Sequence, residues 1–257
     1  LGMLDILGQP PVTLALLALA IFLGGIMKGI SGIGLPIITM SIIFTFDLLP
    51  AKDTIAFVVM PILITNLWQA IRSSGWMETL KEHWLLIAVF LPCLFLGSRM
   101  LAGMDTKGVF LVLGCIVAAF AASNMWKPHL DPLTPRTRLW AGPLAGVTGG
   151  LLGGLSTVWG PPIIMYLVML RLPKDVWVRS VALVYVTGAV PLAAFYWSNG
   201  VLNPSNVWLS TAACVPGMAG ILAGERIRRH INEEAFRRAM LALLFLIGLN
   251  LIRRAVF

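Results

Sequence analysis

The sequence predicts an all-α, polytopic membrane protein. It is read as two inverted repeats of about five helical segments each, with broken or re-entrant helices at glycine-rich motifs. Three observations lead there. First, 58% of the 257 residues are hydrophobic and 12% are charged, about half the charge of a typical soluble domain. With a mean hydropathy of +0.90, this excludes a soluble globular domain, a disordered chain and a secreted disulfide scaffold. Second, the apolar runs are continuous rather than alternating. Lipid offers backbone N–H and C=O no partners, so only helices or closed barrels span it, and continuous runs select helices. Third, a set of landmarks recurs in the same order in both halves.

Ten apolar segments follow in order: 11–31, 34–46, 53–71, 84–103, 107–126, 139–155, 160–171, 176–198, 205–224 and 239–252. Several approach the roughly 20 residues that span a bilayer. The segments starting at Gly34 and Gly160 are short. Each follows a glycine-dense stretch and opens with proline, Gly34-Leu35-Pro36 and Gly160-Pro161-Pro162. Proline suits a first helical turn and glycine a tight bend, so each reads as a break and then a half-length helix.

The repeat is visible in Leu23-Gly24-Gly25-Ile26-Met27-Lys28-Gly29-Ile30-Ser31-Gly32 against Leu144-Ala145-Gly146-Val147-Thr148-Gly149-Gly150-Leu151-Leu152-Gly153. Leu49-Pro50-Ala51-Lys52-Asp53 resembles Leu172-Pro173-Lys174-Asp175, and Gly97-Ser98-Arg99 matches Gly224-Glu225-Arg226. The repeats are placed at 1–126 and 139–257, joined by a polar, proline-rich linker over 127–138. From Leu14 to Phe46 one straight helix would be about 50 Å long against a core of about 30 Å, so it must bend back. Five segments per half make the second half enter from the opposite face. This topology puts 13 Lys and Arg on one side and 5 on the other, with Lys28 inside. Counting each bent pair as one crossing gives 11 and 7. The positive-inside rule favours the first arrangement, with both termini outside.

A net charge of +8 follows from that topology and is not read as nucleic-acid binding. Cys93, Cys115 and Cys214 are odd in number and widely spaced, so they form neither a disulfide framework nor a metal motif. No basic region precedes the first apolar stretch, so a cleaved signal peptide is not expected.

The breaks carry the chemistry. Irregular backbone at membrane depth is tolerated when it is buried in protein or lines a wet cavity. Each break exposes the first N–H groups of a half-helix, which suit an anion, and inverted copies are expected to bring two such ends together near the midplane. The competing reading is close helix packing, since Gly25/Gly29 and Gly146/Gly150 have GxxxG spacing. Lys28 is expected inside the first break. A lysine at mid-membrane costs roughly 2.5–3.5 kcal/mol on insertion scales, so it should face a cavity and an anion, or else snorkel to the interface.

No Asp, Glu or His is expected in the middle of a helix. His83, His129 and His230 are placed in or beside loops, which favours anionic over cationic cargo. The candidate substrate-binding residues are Lys28, Gly29, Ser31, Gly32, Gly34, Asn66, Arg72, Gly150, Gly153, Ser156, Thr157 and Gly160. Gln69, Tyr185 and Thr187 are further polar candidates. Ser156 and Thr157 are read equally as substrate ligands or as caps on freed backbone. Arg72 either reaches the cavity or anchors a helix end. Trp76, Trp84, Trp159 and Trp197 read as interfacial belts.

The duplicated glycine-rich stretch ending in proline (Gly25 to Pro36, Gly146 to Pro162) and the pairs Gly97/Arg99 and Gly224/Arg226 together resemble the TauE/SafE, or sulfite exporter, family of membrane anion transporters. The resemblance covers nearly the whole chain. It implies export of sulfite or a small organosulfonate such as sulfoacetate across the cytoplasmic membrane of a prokaryote, with binding near the two breaks. Gly34-Leu35-Pro36 retains fewer glycines than the family signature. The expected partners are a small anionic substrate and the lipid bilayer, with a homodimer left open; no nucleic acid, metal or cofactor is expected. The chain is read as a transporter and not an enzyme. The rival readings are a passive anion channel, a membrane-embedded enzyme and a non-catalytic assembly subunit.

Overall fold

The structure is a computed structural model. It describes residues 9–31, 34–71, 75–126 and 133–227, and 242, 245–246, 248–253 and 255–256 near the C-terminus. The helices are α1 (Pro11–Ser31), α2 (Leu35–Thr45), α3 (Ala51–Phe57), α4 (Val59–Ile71), α5 (Trp76–Gly103), α6 (Thr106–Trp126), α7 (Pro135–Ser156), α8 (Gly160–Met169), α9 (Lys174–Ser198), α10 (Val207–Ala212) and α11 (Cys214–Ile227). Five stretches among the described residues are long and apolar enough to cross a membrane: Pro11–Ile30, Ala51–Ile71, Trp76–Gly103, Arg179–Ser198 and Val207–Ile227. The chain is an all-α, multi-pass membrane protein.

The helices group into two compact units, and neither coincides with a sequence half. Unit 1 takes residues 1–62, 104–127 and 200–257; unit 2 takes 63–103 and 128–199.

In unit 1, α2 folds back along α1. The Thr39 hydroxyl donates to the Ala20 carbonyl at 3.5 Å, and a Cβ on Gly24 would strike Thr39 and the Leu35 carbonyl. The pair is a helical hairpin, as the 50 Å arithmetic requires. The other face of α1 lies on α11, backbone to backbone. Gly25 meets Gly217 and Gly220, and Gly29 meets Ile221, Gly224 and Glu225. Small residues allow this approach, and dispersion across the close contact holds membrane helices together. The joint between α3 and α4 has a stated cause. Pro61 has no N–H to give the carbonyl four residues earlier. That carbonyl, on Phe57, accepts instead from the Ser210 hydroxyl at 2.9 Å. The Ser210 hydroxyl oxygen in turn accepts from the Met60 N–H at 3.1 Å.

In unit 2, α5 lies on α7 in the same manner. A Cβ on Gly146 or Gly150 would meet the carbonyls of Leu86 and Phe90, at 2.6 and 2.5 Å. Gly154 packs on Leu94 and Ser98, and Gly97 on Leu151. Tyr196 fixes this crossing by donating its hydroxyl to the Gly154 carbonyl at 2.8 Å. α8 folds back on α7, with Gly149 beside Ile163 and Gly142 beside Tyr166.

Three expectations need correction. α5 starts at Trp76, not at 84. Its first turns carry Glu78, Lys81 and Glu82 and read as loop by hydropathy, yet Thr79, His83, Leu86 and Phe90 form a buried stripe at helical spacing. His83 is therefore not a loop residue. It is buried in the helix, with Nε2 at 2.9 Å from the Ser180 hydroxyl. The helix expected from 139 begins earlier, at Pro135, because Thr134 caps α7 by accepting the Thr137 N–H at 3.2 Å.

Candidate functional site

The breaks are narrower than the glycine runs suggest. α1 is unbroken through Gly24, Gly25, Lys28 and Gly29 to Ser31. α7 is unbroken through Gly146, Gly149, Gly150, Gly153 and Gly154 to Ser156. Glycine is no strong helix breaker where neighbouring helices cover the backbone. Gly29 and Gly150 accordingly face other helices and are packing positions, not part of the irregular backbone.

In unit 1 Gly34, with φ of 101°, caps α2 in a conformation glycine adopts freely. α2 has 11 residues, about 16 Å, or half the hydrocarbon core. Its first four amide positions are Gly34, Leu35, Pro36 and Ile37. Proline has no N–H, so three donors have no partner within the helix. Lys28 lies in the last turn of α1, not inside the break. It is 6% exposed and so does not snorkel to bulk water. A cation there complements the negative end of the α1 dipole. Ser31 closes α1. Gly32 and Arg72 lie outside the described residues.

In unit 2 the turn is Thr157-Val158-Trp159. Thr157 is left-handed, with φ of 64°, and its N–H donates to the Gly153 carbonyl at 2.7 Å. Ser156 donates to the Leu152 carbonyl at 2.7 Å and accepts from the Val158 N–H at 3.2 Å. The Thr157 hydroxyl donates to the Ser156 carbonyl. Both side-chain protons are thus engaged with backbone, which is the capping role. Gly153 has no side chain where the Trp159 ring passes, 2.9 Å from the position of its missing Cβ.

α8 has 10 residues, about 15 Å. Its first four amide positions are Trp159, Gly160, Pro161 and Pro162, so only two N–H groups are offered. Trp159 is not an interfacial tryptophan: it is 2% exposed, whereas Trp76, Trp84 and Trp197 are 41%, 61% and 52% exposed. Its ring meets Tyr185 edge-on, with centroids 5.9 Å apart. The Tyr185 hydroxyl sits 2.6 Å from where a Gly160 Cβ would stand. The buried Trp159 Nε1 and Tyr185 hydroxyl have no hydrogen-bond partner. Sequence reasoning misplaced Trp159. Its position inside the break, immediately before Gly-Pro-Pro, was the signal that it is no helix-end anchor. Asn66, on α4, is buried at 1% exposure. Among the described residues no three His, Cys, Asp or Glu side chains gather as a metal site would require.

The sulfite exporter TauE/SafE family model matches residues 17–251. The chain is 28% identical over 255 residues to the probable sulfite/organosulfonate exporter TauE of Cupriavidus necator, covering 95% of this chain and 96% of that protein. No solved structure matches. With hairpins of a long and a half-length helix in each unit, and a family match over residues 17–251, the chain belongs to the TauE/SafE family of membrane transporters.

Proposed function

We propose that the protein exports a small sulfur oxyanion, sulfite or an organosulfonate such as sulfoacetate, and that the start of α2 in unit 1 and the start of α8 in unit 2 are each a seat for it. The observation that carries this is the hairpin itself. In each unit a long helix stops, and a half-length helix begins with proline and with amide donors that have no intrahelical partner. The relative's printed name, a probable sulfite/organosulfonate exporter, supports the cargo. In unit 1, buried Lys28, in the last turn of α1, is the positive charge assigned to the seat at the start of α2. Gly32, Asn66 and Arg72 belong to the proposed site on sequence grounds.

The halves 1–126 and 139–257 are inverted repeats on this reading. Support comes from the helix pairs: the first helix of each half lies on the fourth segment of the other, α1 on α11 and α7 on α5. The split of basic residues supports a cytoplasmic membrane location with both termini outside.

The test is uptake of labelled sulfite and sulfoacetate by proteoliposomes. Wild type should show saturable flux and counterflow. Lys28→Ala should lose at least about tenfold in kcat/KM, the lower end for a charged hydrogen bond, while melting at the wild-type temperature. Flux that never saturates would make the protein a channel, and no flux of either anion would refute the export reading.

A further inference from the structure

We propose that unit 2 contains an acceptor-selective pocket in which Trp159 Nε1, the Tyr185 hydroxyl and the Gly160 N–H bind the deprotonated head group of a sulfonate or sulfite. The inference rests on the export reading and adds the residues and the chemistry of selection.

A helix start alone would not carry it. The second observation is a pair of side-chain donors at the same place. Trp159 is 2% exposed, and neither its Nε1 nor the buried Tyr185 hydroxyl has a partner. A buried donor left unsatisfied is costly, and such groups are rarely kept without a use. Both sit at the first turn of α8. Trp159 is its capping residue, and the Tyr185 hydroxyl occupies the space that any side chain at position 160 would fill.

The rings are held in place. Phe90 meets Trp159 edge-on, with centroids 6.3 Å apart and planes at 74°. Tyr185 meets it at 5.9 Å and 67°. Gly188 makes room for both, since a Cβ there would lie 2.9 Å from Phe90 and 3.6 Å from the Trp159 ring. The donors are therefore positioned before any ligand arrives.

The chemistry of the set selects the ligand. Indole N–H and backbone N–H only donate; a phenol O–H donates or accepts. A sulfonate or a sulfite dianion presents three acceptor oxygens and no proton, so it satisfies all three donors at once. A cation satisfies none of them. The two prolines remove amide donors from α8, and the aromatic donors stand where those amides are lacking.

The test uses the full chain in detergent, with sulfite and methanesulfonate as probes and tetramethylammonium chloride at equal ionic strength as control. Thermal shift gives an apparent Kd for wild type, Trp159→Phe, Tyr185→Phe and Tyr196→Phe. Tyr196 already donates to Gly154, so it reports a structural tyrosine. Both anions should raise the wild-type melting temperature and the control salt should not. Trp159→Phe and Tyr185→Phe should each weaken anion binding about tenfold, about 1.4 kcal/mol. Without ligand they should melt at or above the wild-type temperature, because an orphaned buried donor has been removed. Tyr196→Phe should melt lower and bind normally. Wild-type affinity in both pocket variants, or no anion-specific shift in wild type, overturns the pocket. Proteoliposome flux separates the two readings. Flux that is normal in wild type and in both variants sinks the pocket and leaves export standing. Binding that the variants lose, without any flux in wild type, supports the pocket and sinks export.

Discussion

Two glycines with the same appearance in the sequence should fail in different ways when given a methyl group. At Gly150 a Cβ would stand 2.5 Å from the Phe90 carbonyl oxygen and 2.7 Å from the Cys93 Cβ. Both neighbours belong to the frame of α5 and cannot swing aside. Restoring an ordinary 3.4 Å contact means parting α5 and α7 by about 0.9 Å, an overpacking strain of about 1–3 kcal/mol. The better helix propensity of alanine returns at most about 1 kcal/mol of this. At Gly160 the close neighbour is the Tyr185 hydroxyl at 2.6 Å, with the ring carbon behind it at 3.8 Å. That is the far end of a side chain, and it can move. Gly150→Ala should therefore lower the melting temperature by about 2–4 °C per kcal/mol lost and leave the flux per folded molecule near wild type. Gly160→Ala should melt like wild type and lose anion affinity, because the methyl group covers the start of α8 and displaces Tyr185. The assays are unfolding in detergent and proteoliposome flux normalised to folded protein. If Gly150→Ala is as stable as wild type and Gly160→Ala keeps its KM, the assignment of one to packing and the other to the site is wrong.

Two buried hydroxyls give further tests. Ser210→Ala removes the group that serves both the Phe57 carbonyl and the Met60 N–H. Because Pro61 cannot replace it, the variant should lose about 2–6 kcal/mol, the cost of two unsatisfied groups, read as a lower melting temperature. Ser180→Ala removes the partner of His83 Nε2 and should cost about 1–3 kcal/mol, with the anion KM unchanged.

Much of the architecture was legible because hydropathy in lipid is a strong signal. The run 11–31 matches α1 (Pro11–Ser31) to the residue, and the prolines at 36 and 161–162 mark the starts of α2 and α8. The extent of the breaks was not legible. Glycine in a soluble helix argues for an end. Here Gly25, Gly29, Gly146 and Gly150 are helical because they carry close helix contacts, and one sequence pattern serves both purposes. The grouping of helices was also out of reach. Nothing local in Leu86 or Phe90 says that α5 will lie on α7. His83 was misjudged because the charged residues around it on the open face of α5 lower the local hydropathy, although every fourth residue there is buried. Trp159 was misjudged by statistics for its residue type, when its place between a left-handed Thr157 and a proline pair was the better guide.

The two half-helices also differ from each other. Half 1 carries Lys28 where half 2 has Gly149, and α2 keeps three amide donors where α8 keeps two. Half 2 instead places Trp159 and Tyr185 at its helix start. On the proposed reading, one start holds an anion with help from a full charge and the other with neutral donors alone. Charge-assisted bonds are roughly twice as strong as neutral ones, so the start of α8 is the weaker seat. An exporter must release what it captures, and a seat built of uncharged, fixed donors lets an anion shed its water without being trapped. The glycine at 149 is then as informative as the lysine at 28. A second cation at that depth would add roughly 2.5–3.5 kcal/mol of insertion cost and would tighten the seat that has to let go.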